Sequence, residues 1–323
     1  MPVNLPPAEM NVLLLYDFDP QWTAQEREEV SGAHVRLTEH LNSAGFCVDL
    51  LPVVDHHFPK KLSSFDAEAC VLFNWCDGIP GHKHSEWIVA QHLEQMRFVF
   101  TGSSSATLAL SYEKHRVKEI LDRHGVPTPR WRLYTSSKSN GWHDFPAIVK
   151  PAIGHCSEWV TSESVAVNET ELQDRISYLV DDVGSPALVE DFIDGREFHV
   201  SLWGNGRVDM LPPAEMDFSA LNDVHDRLCS FDAKFMPGSV HYENIHTVIP
   251  GALDDAERAE LERVSRAAYK AIGSRDYGRI DLRLRDGVFY VLDINPTPDI
   301  SEDASMASAA GLMKMHLPSR STP

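Results

Sequence analysis

Tyr277-Gly-Arg-Ile-Asp-Leu-Arg-Leu-Arg-Asp-Gly-Val-Phe-Tyr-Val-Leu-Asp-Ile-Asn-Pro-Thr-Pro298 reads as a β-hairpin. Ile280, Leu282 and Leu284 alternate with Arg279, Asp281 and Arg283; on the return, Val288, Tyr290, Leu292 and Ile294 alternate with Phe289, Val291, Asp293 and Asn295. Alternation with a period of two marks strands that put one face into a core. A two-residue Asp286-Gly287 turn pairs Arg285 with Val288 and sends Asp281 and Asp293 to opposite faces. A three-residue loop, Arg285-Asp286-Gly287, pairs Leu284 with Val288 and gathers Arg279, Asp281, Asp293 and Asn295 on one face. The second register is expected, because a one-residue slip mixes core and polar residues on both faces. Hard oxygen ligands at a strand end suit Mg²⁺. Within the hairpin itself a solvated face, salt-bridged between Arg279 and Asp293, fits equally.

A chain of 323 residues with 43% hydrophobic and 24% charged residues has the length and composition of a multidomain globular protein. A formal net charge of −19 argues against nucleic acid or an anionic membrane as partner. It also requires any nucleotide site to gather lysines and metal locally. The five cysteines form no Cys-x-x-Cys, which argues against a disulfide framework or zinc ribbon. No apolar run reaches the ~18 residues of a membrane span, and no signal peptide is visible at the N-terminus. A cytoplasmic protein is expected. His56-His57 and His82-Lys-His84 have no matching cysteine or carboxylate spacing and read as surface histidines.

Strands at Asn11–Tyr16, Phe46–Leu51, Ala69–Phe73 and Arg97–Phe100 alternate with helices at Thr23–Ala44 and Ser85–Met96, the pattern of a parallel sheet covered on both faces. Asp17-Phe-Asp-Pro20 follows the first strand, so no dinucleotide fingerprint is present. A helix over Tyr112–His124 stops at Gly125 and Pro127 and carries Lys114 and Lys118 on one face; two solvated lysines is the commoner meaning of such a pair. Ala147–Pro151 is a strand holding Lys150, Ala187–Ile193 one holding Glu190, and Arg196–Trp203 one holding Glu197. Ser219–Val240 reads as an irregular lid containing Lys234 and Phe235, and Asp254–Ile272 as an amphipathic helix. Antiparallel strands with intervening helices make this half α+β.

The order of these pieces resembles the ATP-grasp ligases, and within them the D-alanine–D-alanine ligase family. The matching stretches run from Phe100 to Pro298: Phe100-Thr-Gly-Ser-Ser104, Tyr112-Glu-Lys-His-Arg-Val-Lys118, Gly125-Val-Pro-Thr-Pro129, Val149-Lys-Pro151, Leu188-Val-Glu-Asp-Phe-Ile-Asp-Gly-Arg-Glu197, Arg279-Ile-Asp281 and Asp293-Ile-Asn-Pro-Thr-Pro298. The resemblance implies an ATP-grasp fold, α/β and α+β, with a Rossmann-like preATP-grasp domain at 1–105. It implies a first ATP-grasp subdomain, the nucleotide lid, at 106–186 and a second, carrying the metal and catalytic hairpin, at 187–323. Lys114 and Lys150 would contact ATP phosphates, and the loop at Cys156 and Ser157 would wrap one. Glu190 would meet the adenine amino group, the backbone of Phe192 and Ile193 the adenine edge, and Glu197 the ribose hydroxyls. Asp281, Asp293 and Asn295 would hold one or two Mg²⁺ ions, with Mn²⁺ an alternative. Lys234 would reach the transferred phosphate, and Arg279 the oxyanion of a tetrahedral intermediate.

Several positions depart from the family pattern. Asp293 stands where glutamate is usual, the Gly-Gly after the first strand is missing, and the phosphate loop lacks its second glycine. Phe235 replaces a tyrosine. Asp299 replaces a glycine beside the second substrate's carboxylate, with Ser301 nearby. Glu26 or Glu28 could bind the first substrate's amino group, or serve as first-turn helix acids. The expected protein is a homodimeric ATP-dependent carboxylate–amine ligase acting through an acyl phosphate on an amino acid or its derivative, rather than a housekeeping D-alanine–D-alanine ligase. Its partners are small-molecule carboxylates and amines. A regulatory ATP-binding relative and a small-molecule kinase of the same fold are the alternatives.

Overall fold

The computed structural model describes residues 11–138, 141–301 and 304–316. Two compact units divide the chain, Met1–Ala109 and Leu110–Pro323. In the first, β1 (Asn11–Asp17), α1 (Ala24–Ser43), β2 (Cys47–Val53), α2 (Phe58–Leu62), β3 (Cys70–Trp75), α3 (Glu86–Gln95) and β4 (Val99–Phe100) follow one another. The strands lie in the order β2-β1-β3-β4, all parallel. The central strand is buried from Val12 through Leu15, as a run without alternation requires when both faces are covered. Leu13, Leu15, Val53 and Leu72 pack with Phe58, Leu62, Val89 and Leu93. Each such side chain contributes about 1.5–3 kcal/mol by leaving water.

The helix α4 (Ser105–Tyr112), continuous with the small-residue crossing expected at 101–107, leads into the second unit. There α5 (Lys114–Arg123), β5 (Trp131–Tyr134), β6 (Ala147–Pro151), β7 (Val165–Ala166), α6 (Glu169–Ser177) and β8 (Ala187–Asp191) come first. Their strands form a sheet in the order β5-β8-β6-β7. The boundary expected at residue 186 falls immediately before β8, which is hydrogen-bonded on both sides within this sheet, to β5 and β6, so the sheet extends through Asp191.

The elements β9 (Arg196–Trp203), β10 (Asp209–Met210), β11 (Ala214–Asp217), α7 (Phe231–Phe235), α8 (Val240–Asn244), β12 (His246–Val248), α9 (Asp255–Ala271), β13 (Tyr277–Arg285), β14 (Val288–Asn295) and α10 (Ser305–His316) complete the chain. Their sheet runs β12-β11-β9-β13-β14, with β10 on β9. A capping box between Asp254 and Glu257 starts α9. Its apolar stripe, Leu261, Val264, Ala268 and Tyr269, covers Phe198, Val200, Ile280, Leu282, Phe289, Val291 and Ile294. The region expected to be an irregular lid, Ser219–Val240, instead holds α7 and runs into the start of α8, with Ser230 and Ser239 as side-chain N-caps. Helices of one turn are too short to show a period in sequence.

The hairpin's turn is also corrected. Asp286 and Gly287 both have positive φ, 53° and 77°, and Arg285 pairs with Val288, so the loop has two residues. The strand then adjusts: Leu282 pairs with Val291 but Asp281 with Asp293, leaving Leu292 as a bulge. That extra residue returns Asp293 and Asn295 to the face of Asp281 and Arg279. Between turn and bulge the core residues are Phe289 and Val291, while Val288 is exposed.

Candidate active site

The face of the sheet opposite α9 is polar because three strands present their alternate residues there in register. Ser201, Arg279 and Asn295 lie side by side across β9, β13 and β14; so do His199, Asp281 and Asp293, and then Glu197, Arg283 and Tyr290. Like charges directly opposite one another, as Asp281 and Asp293 are, destabilise a sheet unless cations offset them. Arg279 grips Asp281 with two bonds, Nε to Oδ1 at 2.7 Å and Nη2 to Oδ2 at 3.0 Å. Lys114 Nζ reaches Asp293 Oδ2 at 2.8 Å. The surface pair Arg279–Asp293 considered from sequence is thus replaced by two separate pairs. Burial alone would raise the Asp293 carboxyl; Lys114, Lys150 and then His155 more than offset it and hold it far below the usual range. Burial alone would lower the Arg279 pKa, but the Asp281 carboxylate raises it on balance. Asn295 Oδ1 accepts the Thr297 N–H at 3.0 Å.

Two buried lysines stand behind this face. Glu190, 1% exposed, receives Lys150 on Oε1 at 2.7 Å and Lys118 on Oε2 at 3.0 Å. The adenine amino group expected at Glu190 would have to share a carboxylate that both lysines already hold. Lys150 Nζ also donates to the Leu292 carbonyl at 3.3 Å, and Lys118 Nζ to the Val291 carbonyl at 3.0 Å and Thr128 Oγ1 at 2.7 Å. Those carbonyls flank the bulge, where the ladder is interrupted and its acceptors become available. Burial pushes the Lys118 ammonium down to about 8, against the opposing pull of Glu190. For Lys150, burial is outweighed by Glu190 and Asp293, and its pKa is raised.

Glu197 is fixed at the far rank. Arg283 Nε donates to Oε2 at 2.7 Å, and His199 Nε2 lies 3.1 Å from Oε1. Burial raises its pKa, but Arg283 and His199 outweigh that and depress it strongly. Arg283 also donates to the carbonyls of Ile193, at 2.9 Å, and Arg227, and its guanidinium lies over the rings of Phe192 and Phe218. The Phe192 N–H donates to the Pro146 carbonyl at 3.0 Å. Beside these groups, the loop after β6 turns through positive φ at Gly154, Cys156, Ser157 and Trp159, a run uncommon for residues other than glycine. Ser157 Oγ donates to the Cys229 carbonyl at 3.1 Å, and Cys156 is exposed.

Other expected residues lie elsewhere. Glu26 closes the capping box of α1, its carboxylate accepting the Thr23 N–H at 2.7 Å, and Glu28 is exposed on the same helix. Asp299 is exposed and accepts the Ser301 N–H at 2.8 Å in a local turn. Lys234 and Phe235 belong to α7, but their side chains lie outside the described residues. Sequence reasoning missed the site roles of Lys118, His199, Arg283 and Cys229. His199 and Arg283 were legible by the period-two rule, since each lies two residues from an assigned residue, Glu197 or Asp281, and so on the same face of a strand already assigned. Cys229 sits in an aperiodic segment, and no local pattern points to it. One donor atom each of Glu197, His199 and Cys229 lie within 4.8 Å of one another.

The family model described as D-ala D-ala ligase C-terminus matches residues 122–318. The chain belongs to that family. It is an ATP-grasp ligase, a member of the class that forms C–N bonds with release of ADP. Uncharacterized protein y4sG of Sinorhizobium fredii is 31% identical over 242 residues, 74% of this chain and 69% of the relative. D-alanine–D-alanine ligase B of Pseudomonas putida is 29% identical over 300 residues, covering 89% and 85%. The crystal structure of D-alanine–D-alanine ligase from Bacillus anthracis complexed with ATP superposes with a TM-score of 0.68 at 17% identity, over 94% of this chain and 92% of that one. The fold is the ATP-grasp fold of these ligases.

Proposed function

We propose that this ATP-grasp ligase activates a small-molecule carboxylate by taking the γ-phosphoryl group of ATP, then joins the acyl phosphate to an amine. The substrates are an amino acid or its derivative, and D-alanyl-D-alanine is not its main product. The observation that carries the proposal is the gathering of Arg279, Asp281, Asp293 and Asn295 on one sheet face with Lys114 and Lys150 beside them. Simple nucleotide binding has no need of a partly buried arginine beside the carboxylates, whereas acyl transfer develops an oxyanion for it to meet. Lys114 and Lys150 would bind phosphate oxygens as compact point charges. Glu190 would keep Lys150 in place, and Glu197 would accept ribose hydroxyls.

Asp281, Asp293 and Asn295 fit Mg²⁺: all three are hard oxygen donors, and two carboxylates face each other across one ladder. The ion would offset charge on the phosphates. Asp299 supports the departure from the housekeeping substrate, because an exposed carboxylate repels a second one. A homodimer, and a cytoplasmic location, belong to the same proposal.

A screen of carboxylate and amine pairs for ADP release tests it. ADP release that requires both partners is expected, with weak turnover on D-alanine alone. Efficient D-alanyl-D-alanine synthesis would contradict the substrate assignment. ADP release to an alcohol without any amine would mark a kinase instead.

A further inference from the structure

The polar sheet face carries a second donor set whose chemistry differs from that of Asp281, Asp293 and Asn295. Glu197 and His199 are two residues apart on β9, so their side chains leave the strand on the same side. Cys229 joins them from the segment before α7. The ligand atoms of the three converge within 4.8 Å, with Glu197 Oε1 and His199 Nε2 3.1 Å apart. The other carboxylate oxygen, Oε2, is held by Arg283 Nε at 2.7 Å, and Arg283 is itself anchored on the Ile193 and Arg227 carbonyls. One oxygen is thus fixed by protein while the other turns toward the imidazole and thiol. Groups that bind metal are commonly oriented in this way, by partners held behind them.

A carboxylate oxygen, an imidazole nitrogen and a thiolate sulfur suit a borderline-soft cation that takes four ligands at about 2.0–2.3 Å. They do not suit Mg²⁺, which selects oxygen. We propose that Glu197, His199 and Cys229 form a site for a thiophilic divalent cation of the zinc class, adjoining the oxygen donors of β13 and β14, since His199 Nε2 lies 4.0 Å from Asp281 Oδ1, but distinct from them in donor chemistry. Binding involves no redox change. Cys229 loses its thiol proton to solvent and donates an electron pair from sulfur, His199 binds as neutral imidazole, and Glu197 binds as carboxylate. Three protein ligands leave one position open for water. Under the proposed function Glu197 also binds ribose, so the cation and the nucleotide compete for it and the cation inhibits.

Titration of the full chain with Co²⁺ under argon, in excess Mg²⁺, tests the site. One equivalent is expected to bind with a thiolate-to-cobalt charge-transfer band. Cys229→Ser abolishes the band and weakens binding by no less than the roughly 10–100-fold that loss of an outer hydrogen-bond partner costs. His199→Gln weakens binding and alters the d–d bands. Cys47→Ser, at an exposed cysteine of the first unit, leaves the spectrum unchanged. A spectrum without a thiolate band, or a band that survives Cys229→Ser or disappears in Cys47→Ser, overturns the proposal. X-ray absorption at the zinc edge of the wild-type zinc complex needs no variant: sulfur in the inner shell supports the site, and oxygen and nitrogen alone overturn it. Displacement of Co²⁺ by ADP supports the competition; Co²⁺ bound through sulfur but indifferent to ADP leaves the metal site standing and removes ribose from Glu197.

Discussion

Glu190 on β8 is the residue whose buried carboxylate gathers a lysine from α5 and another from β6, and those two lysines in turn reach the Val291 and Leu292 carbonyls of β14 in the other sheet of the second unit. Burial by itself would raise its pKa, and the two ammonium groups reverse the sign and lower it. Its folded pKa lies below the ordinary 4.5, so the stability it contributes is fully present above that value. It is lost as pH falls through the folded pKa. Glu190→Gln leaves two buried ammonium groups without a counter-charge and is expected to cost about 3–5 kcal/mol at neutral pH. Urea unfolding midpoints should show that deficit at pH about 7 and a smaller one at pH about 3.5. Arg279 acts at the same scale on chemistry. Arg279→Lys keeps a charge but loses the two-pronged grip on Asp281, and kcat for ADP release should fall by about 10²–10³. ADP affinity, read by calorimetry, should change far less.

At the scale of elements, the hairpin shows what a sequence can and cannot specify. Alternation revealed both strands and put Arg279, Asp281, Asp293 and Asn295 together, and that grouping holds. The expected three-residue loop was the wrong means: a two-residue turn and a bulge at Leu292 give the same face. A bulge is set by the partner strand and by what its carbonyls meet, here Lys118 and Lys150, and neither is local in sequence. Lys118 was illegible for the same reason. Its pattern on α5 is that of a solvated lysine, and only the distant Glu190 and β14 bury it. The turn joining β8 to β9 is similarly constrained by a remote neighbour. A Cβ built on Gly195 would lie 2.0 Å from the Leu284 carbonyl oxygen of β13. Gly195→Ala is therefore expected to destabilise by roughly 1–3 kcal/mol through overpacking, readable as a lowered midpoint in thermal or urea unfolding, and to weaken ADP binding because Glu197 begins the strand that follows.

For the whole molecule, every lysine and carboxylate assigned to nucleotide and metal with a described side chain lies in Leu110–Pro323. A chain spanning residues 105–323, which retains α4 intact, should therefore bind ADP in the presence of Mg²⁺ within about tenfold of the full protein by calorimetry. A loss much beyond that would mean that residues 1–104 contribute to nucleotide binding. The net charge of −19 opposes polyphosphate at long range, so the proposed nucleotide site depends on the local positive charge of Lys114 and Lys150. Under the proposed function, the energy-coupling end of the reaction belongs to the ordered sheet face, while Asp299, where the chain departs from its family, bears on the acceptor. The central claim, that a carboxylate is activated as an acyl phosphate, is tested most directly by oxygen transfer. With the active substrate pair and ¹⁸O in both carboxylate oxygens, one ¹⁸O should appear in the inorganic phosphate released per amide formed. Phosphate without ¹⁸O, alongside amide formation and ADP, would contradict the account.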